Sequence, residues 1–554
     1  MGYFVRGKIL PEHKNPINRF LIAVYRPVIN FVLKYKWITI IAALVILVAT
    51  WIPLKRLGSE FMPELNEGDL LYMPTTDPGI SITKARELLQ QTDKIIKSFP
   101  EVKTVFGKAG RAETATDPAP LSMFETVITL KPKSEWPKDM TIDKLKRQMD
   151  DAIHFPGLTN AWTMPIKTRI DMLSTGIKTP VGIKISGPNL GTLSKLGQEI
   201  AAAVRDVPGT QSAFADKTTG GHYLDFHVKR EEAARYGLTV GDVQDVIQSA
   251  IGGMAVTQTV EGRERYTVNV RYSRELRDNL TALRRVLIPT PTGAQIPLSY
   301  VADLQFKQGA PVIKTENARY TSWIYVDIRN TDIGSYVQNA KKVVDASVKL
   351  PEGYTITWSG QYEYMQRAKE RLKIVVPITL LTIFLLLYFN FKNFQESMMV
   401  ILTLPFALVG SIWYLYFLGY DLSVAVGVGA IALAGVTAEI GVIMLAYLDQ
   451  SYKDRRSQGK LHSLEDLKEA VIHGTALRIR PVFMTVTAII AGLLPIMWGS
   501  GTGSQIMKRI AAPMIGGMIS STILSLLVIP AIYFLWKSRE VKRENGEQMT
   551  KYEE

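Results

Sequence analysis

Six apolar stretches, set out as one followed by five, constrain this chain more than any other feature. The first is "WITIIAALVILVATWIPL", residues 37–54. The others fall at about 374–390, 397–418, 422–447, 481–499 and 511–536. A helix of about 20 apolar residues crosses the hydrocarbon core of a bilayer. Residues 55–373 have the mixed composition of a globular region. The pattern predicts an α+β membrane protein with six transmembrane helices, a large extramembrane region in its first loop, and five helices within 374–536.

Lysine and arginine orient the spans. "RGK" and "KYK" precede the first, the 448–480 connection is rich in both residues, and "KSREVKRE" follows the sixth. All three fall on one side if every span crosses, and the positive-inside rule makes that side the cytoplasm. Residues 1–36 then form a cytoplasmic segment with an interfacial helix, in which Asn15 caps and Pro16 fits the first turn. Residues 448–480 are a cytoplasmic loop, 537–554 a cytoplasmic tail, and 55–373 lie in the periplasm of a two-membrane cell. The expected location is a bacterial inner membrane. The net charge of +14 fits this asymmetry, and no motif supports a nucleic-acid partner. The start lacks a signal peptide, so the chain begins on the cytoplasmic side or is the tail half of something longer.

The outer region repeats a local order. "SITKARELLQQTDKIIKSFPEVKTVFG" reads as a capped amphipathic helix, a Phe-Pro break and a strand. The order returns in "TIDKLKRQMDDAIHFPGLTNAW", "LSKLGQEIAAAVRDVPGTQSAFA" and "SYVQNAKKVVDASVKLPEGYTITW". Four such modules with strands between them predict two ferredoxin-like βαβ subdomains. Residues 214–306 break the pattern and read as an insertion.

The chain has no cysteine, 19 Met and 6 His. Soft-metal chemistry is therefore left to thioethers or imidazole. The histidines do not cluster, and no GxxxxGK[ST] loop points to ATP. Most methionines sit in apolar spans, where they are ordinary packing. Met73, Met123 and Met172 lie in the outer region beside charged residues or prolines. Each alone is more often a gap filler than a ligand. Together they make a thioether set suited to Cu(I) or Ag(I), whereas Zn(II) or Co(II) calls for imidazole or carboxylate. No apolar period surrounds Met172 in "RIDMLSTGIK". Glu439 lies in the middle of the fourth span, where a carboxylate costs several kcal/mol if it faces lipid (roughly 3). It reads as a proton carrier facing a bundle interior or water path, or as a structural hydrogen-bonding group. Gly427, Gly429, Gly435 and Gly441 are expected to let neighbouring helices approach.

The segments "EFMPELNEGDLLYMP", "GKAGRAETATDPAPLSMFET", "RIDMLSTGIKTPVGIKISG", "KTENARYTSWIYVDIR" and "RIAAPMIGGMISS" resemble the C-terminal half of CusA-type pumps. These form the copper/silver branch of the heavy-metal efflux transporters in the resistance–nodulation–division superfamily. The likeness runs from about residue 1 to 540. It implies a homotrimeric proton antiporter, not an enzyme, working with a periplasmic adaptor and an outer-membrane channel. No cofactor is implied; Cu(I) or Ag(I) is the cargo. The family's three-methionine site matches Met73, Met123 and Met172. Its charged cleft residues match Glu67, Asp117, Glu125, Arg169 and Lys178, with Arg169 and Lys178 placed to hold the carboxylates. The acidic relay residue matches Glu439, and methionines of the metal path match Met254 and Met507. The resemblance also implies porter subdomains at 66–158 and at 159–213 plus 307–360, with 214–306 as the docking piece.

Two departures stand out. Family members carry about twelve spans, so an N-terminal half is the expected companion, and a transport-inactive half-pump is the alternative reading. In addition, Val482 in "RIRPVFMT" replaces a lysine usual in the copper branch, which resembles the divalent-metal pumps instead.

Overall fold

The computed structural model describes residues 16–63, 67–110 and 120–552; side chains are described to residue 543, Ile17 excepted. The chain opens with α1, Pro16–Lys34. Tyr25, Ile29, Val32 and Leu33 recur at helical spacing and bury one face of α1 in the main apolar cluster of the helical region. The Tyr25 hydroxyl donates to the Leu526 carbonyl at 2.7 Å, tying α1 to the last long helix. Helix α2, Lys36–Ala49, and the short α3, Trp51–Arg56, together form the first stretch long and apolar enough to cross a membrane.

A first α/β unit follows: β1 (Asp69–Tyr72), α4 (Ile82–Lys97), β2 (Val102–Ala109), β3 (Phe124–Leu130), α5 (Ile142–Ala152) and β4 (Trp162–Thr163). This is a β-α-β-β-α-β order in sequence, and the sheet order is β2-β3-β1-β4 with antiparallel neighbours. Ser81 and Thr141 cap the two helices by accepting from the Lys84 and Lys144 N–H groups, each at 3.2 Å. Leu70, Tyr72, Ile128, Leu145 and Met149 fill the layer between helices and sheet. The unit ends at Thr163 and not at 158, because β4 pairs with β1 through Tyr72↔Trp162. Helix α6, Pro165–Thr175, then leads away.

A second unit has the same order, split by an insertion. Strand β5 (Val181–Gly187), α7 (Leu190–Arg205) and β6 (Thr210–Ala215) come first. The insertion opens with β7 (Gly221–Val228) and the short helices α8 (Arg230–Arg235) and α9 (Val240–Val246). Next come β8 (Met254–Glu261), β9 (Glu264–Val270), α10 (Leu280–Arg284), β10 (Leu287–Pro289) and β11 (Gln295–Pro297). It closes with α11 (Leu298–Val301) and β12 (Ala302–Gly309). The second unit resumes with β13 (Lys314–Glu316), β14 (Arg319–Ile328), α12 (Ile333–Ser347) and β15 (Thr355–Gly360). Strand β14 pairs with β5 and with β6, and β15 pairs with β5. The antiparallel β7–β12 ribbon is the neck of the insertion, from Gly221↔Gly309 to Val228↔Ala302. The insertion therefore runs about 221–309; β6 stays in the second sheet because Phe214 pairs with Tyr325.

Five long helices complete the chain: α13 (Gln361–Phe391), α14 (Phe394–Leu418), α15 (Val424–Ser457), α16 (Leu464–Trp498) and α17 (Ser504–Tyr552). With α2–α3 they give six helices long and apolar enough to cross a membrane among the described residues. Helix α17 packs against α14, α15 and α16. Closest approach depends on glycine: a Cβ on Gly410 would stand 2.1 Å from the Gly516 carbonyl oxygen, and one on Gly429 would stand 2.2 Å from that of Ile510. Gly427 and Gly435 instead face open space, so the expected close packing at all four α15 glycines does not hold.

The expected 448–480 loop is mostly helix. Helix α15 continues to Ser457, and α16 starts at Leu464 behind a capping box between Ser463 and Asp466. The two extensions pack together through the Ser451 hydroxyl, which donates to the Ala470 carbonyl at 2.8 Å. The expected tail is likewise helical as far as Tyr552, as the end of α17.

Candidate functional site

Two strands present alternate residues to one face of the first sheet. Leu71 lies opposite Val127 in the β1–β3 ladder. Beyond the ladder an isolated antiparallel bridge pairs Thr75 with Met123. The side chains of Leu71, Met73, Thr75, Met123, Glu125 and Val127 consequently line one cleft of about 880 Å³. Helix α6 adds Thr168, Arg169 and Met172 to the same cleft, and the second sheet adds Phe214, Trp323 and Tyr325. All three methionines singled out in the sequence therefore meet in one cavity, from three separate segments. Met73 is 1% exposed, while Met123 and Met172 are half-buried.

Met172 lies on a helix whose ends are both fixed. Pro165 occupies its first turn, and the Glu67 carboxylate accepts from the Ile166 and Lys167 N–H groups at 2.8 and 2.9 Å. Gly176 ends it in the left-handed conformation at φ 77°, donating to the Met172 carbonyl at 2.8 Å. A Cβ at Gly176 would run into the Trp323 ring at 2.3 Å, so the close approach of α6 to the second sheet also requires glycine.

The charged residues take parts different from those expected. Glu67 is a helix cap and does not line the cleft. Glu125 lines it and pairs with Lys108 at 2.9 Å, not with Arg169 or Lys178. Arg169 lines the cleft and forms no ion pair among the described residues. Lys178 is buried and donates to the Met73 carbonyl at 3.0 Å and to the Thr75 hydroxyl at 2.7 Å. Its ammonium lies 5.5 Å from the Phe214 ring centre and 5.4 Å from that of Tyr325. Burial pushes its pKa down to about 8; Asp216 and Glu125 oppose this and Lys314 adds to it. Asp117 lies outside the described residues.

Sequence reasoning missed the far wall. Lys314 pairs with Asp216 and sits 3.9 Å from the Trp323 ring centre. The available signal was alternation in "RYTSWIYVDI", which sends Thr321, Trp323 and Tyr325 to one side of β14.

Met254 and Met507 do not join the trio. Met254 opens β8, in a hairpin whose every residue is exposed. Met507 lies in the first turns of α17 and is 48% exposed. Glu439 is exposed in this chain: Thr437 and Ile440 face inward, and two residues from Thr437 is about 200° around a helix. Thr437 itself accepts from the Ser521 hydroxyl at 3.1 Å. Val482 lies in an apolar cluster with Leu433, Ile440, Val486 and Met518.

The described chain thus combines six helices long and apolar enough to cross a membrane with two β-α-β-β-α-β modules between the first and the second of them. Residues 3–537 match the AcrB/AcrD/AcrF family, and the chain belongs to it. It is 51% identical to the cation efflux system protein CusA of Escherichia coli (strain K12), over 548 residues, which is 98% of this chain and 52% of that protein. It is 51% identical over 546 residues to the putative cation efflux system protein SilA of Salmonella typhimurium, with the same coverage of 98% and 52%. The cobalt-zinc-cadmium resistance protein CzcA of Cupriavidus metallidurans is 35% identical, over 97% of this chain and 51% of that protein. A crystal structure of a heavy metal efflux pump superposes with a TM-score of 0.82 at 29% identity, covering 95% of this chain and 52% of that one. The chain thus spans about half the length of these relatives.

Proposed function

We propose that this chain is the cargo-binding half of a proton-driven Cu(I)/Ag(I) efflux transporter of the bacterial inner membrane. The observation that carries this reading is the convergence of Met73, Met123 and Met172 on one cleft in a chain without cysteine. Neutral thioether sulfur favours soft monovalent ions over Zn(II) or Co(II). Higher identity to CusA and SilA than to CzcA points the same way. In this reading the two α/β units are porter subdomains in the periplasm, and the insertion is the docking piece for an adaptor and outer-membrane channel in a trimeric assembly. The cleft grips the ion between the first unit and α6, and a hinge between the units opens it.

The test is a competition titration of the purified chain with Ag(I). One tight site is expected, weakened at least about 100-fold by Met172→Leu, a nearly volume-conserving change. Unaltered affinity in a folded Met172→Leu protein removes Met172 from the site.

A second reading is favoured by the outward Glu439: the half-chain binds metal but does not transport alone. Its relay carboxylate then needs a second helical unit against α15, and Val482 leaves no lysine beside it. Silver efflux by this chain alone in a pump-deleted strain excludes that reading.

A further inference from the structure

Gln361 is the first residue of α13, a transmembrane helix, and is 4% exposed. It makes two contacts to the segment that carries Met172 and Lys178. Its side-chain Nε2 donates to Asp171 Oδ2 at 3.3 Å, and its backbone N–H donates to the Pro180 carbonyl at 3.0 Å. One residue at the top of a membrane helix therefore holds the ten-residue stretch 171–180 at both ends. We propose that Gln361 is a positioning residue that couples α13 to the metal cleft, setting the place of Met172 through Asp171. The proposal rests on the reading of α6 as a wall of the metal site.

Three features make the link stiff. Asp171 is 9% exposed, so neither partner can readily trade the bond for water without opening the junction. Gly360, at φ 75°, lets β15 turn straight into α13; a Cβ there would lie 2.8 Å from the Pro180 carbonyl oxygen. Strand β15 is in turn paired along β5, from Thr355↔Ser186 to Gly360↔Val181. A tilt of α13 must consequently drag Pro180 and Asp171 together. Met172 follows Asp171 directly, and the helix that holds it is free on its outer side, where Ile166 and Ile170 are exposed. The other hydrogen bonds that anchor α6, to the Glu67 carboxylate and between Thr163 and Thr168, hold only its first half. The Gln361 contact thus controls the half of the helix that bears the thioether.

The absence of cysteine permits a direct measurement on the full chain. Spin labels at Ile170→Cys on α6 and Phe106→Cys on β2, both exposed, report the position of α6 against the first sheet by pulsed electron resonance. Without metal, Gln361→Leu is expected to shift or broaden the distance distribution. Asp171→Asn keeps an acceptor and should retain the parent distribution. Gln361→Glu alone removes the donor and sets a second carboxylate against Asp171, so it should shift the distribution, and adding Asp171→Asn to it should restore the parent distribution. A Gln361→Leu distribution that superimposes on the parent overturns the proposal. If Gln361→Leu does not fold, Asp171→Leu removes the acceptor and reads the same outcome. The metal-site reading is scored separately, by Ag(I) binding to the unlabelled chain, so the two can fail independently.

Discussion

The ammonium of Lys178 donates to the carbonyl oxygen of Met73 at 3.0 Å, so a fixed positive charge is tied to one of the three thioether residues. A cation entering the cleft meets this charge in a poorly hydrated place.

Lys178→Leu, which removes the charge without adding a thioether, is therefore expected to tighten Ag(I) binding, by about tenfold for an electrostatic relief of about 1.4 kcal/mol. A competition titration of parent and variant at one pH measures it. Unchanged or weaker binding in a folded variant would show that Lys178 serves the cleft mainly by holding the Met73 carbonyl and the Thr75 hydroxyl in place.

Glu67→Gln removes the anion that caps α6 while keeping an acceptor. A weaker cap typically costs about 1 kcal/mol. The expected result is a small drop in melting temperature and a loss in Ag(I) affinity of less than about tenfold, well short of the effect of Met172→Leu. An effect as large as that of Met172→Leu would place Glu67 among the ligands.

Asp332 joins the second unit to the segment after the first span. Burial raises its pKa, but hydrogen bonds from Ser335 and Ser59 outweigh this and hold the carboxyl below its usual range. The Ser335 and Ser59 N–H groups donate at 2.9 and 3.0 Å. A depressed carboxylate contributes stability above its unfolded pKa of about 3.9 and loses it as pH falls toward the folded value. The melting temperature of Asp332→Asn should lie below the parent by a constant amount from about pH 8 to pH 5, and the gap should close below about pH 4. A gap that persists undiminished into acid contradicts this.

Gly429→Ala forces a Cβ against the Ile510 carbonyl, whereas Gly435→Ala meets open space. Overpacking of this kind costs about 1–3 kcal/mol. Detergent-solubilised Gly429→Ala is expected to melt earlier and to lose monodispersity, with Gly435→Ala unchanged. Equal behaviour of the two would undo the account of α15–α17 packing.

Much of the layout was legible because it rests on hydropathy and alternation. The six long apolar helices, the amphipathic α1 and the strands that border Met73 and Met123 all leave such a signal. Helix α6 left none, for a physical reason. Its buried positions are Thr168, Asp171 and Thr175, and its exposed positions include Ile166, Ile170 and Leu173. The usual amphipathic pattern is inverted, so "RIDMLSTGIK" looks aperiodic although both helix ends are capped. The roles of Glu67 and Lys178 were also hidden, since a carboxylate capping a helix 99 residues away and an ammonium seated on a backbone carbonyl depend on tertiary contacts. Glu439 was expected to face a bundle interior or a water path; in this chain it is exposed, because Thr437 takes the inward position.

The central claim is that the three methionines bind one soft ion together. X-ray absorption at the silver edge, on the purified chain loaded with one equivalent of Ag(I), tests it most directly. With no cysteine present, every sulfur scatterer must be a thioether. The account predicts about three sulfur neighbours in the parent and a lower count in Met172→Leu. A first shell of oxygen and nitrogen alone, or a sulfur count unmoved by Met172→Leu, would contradict it.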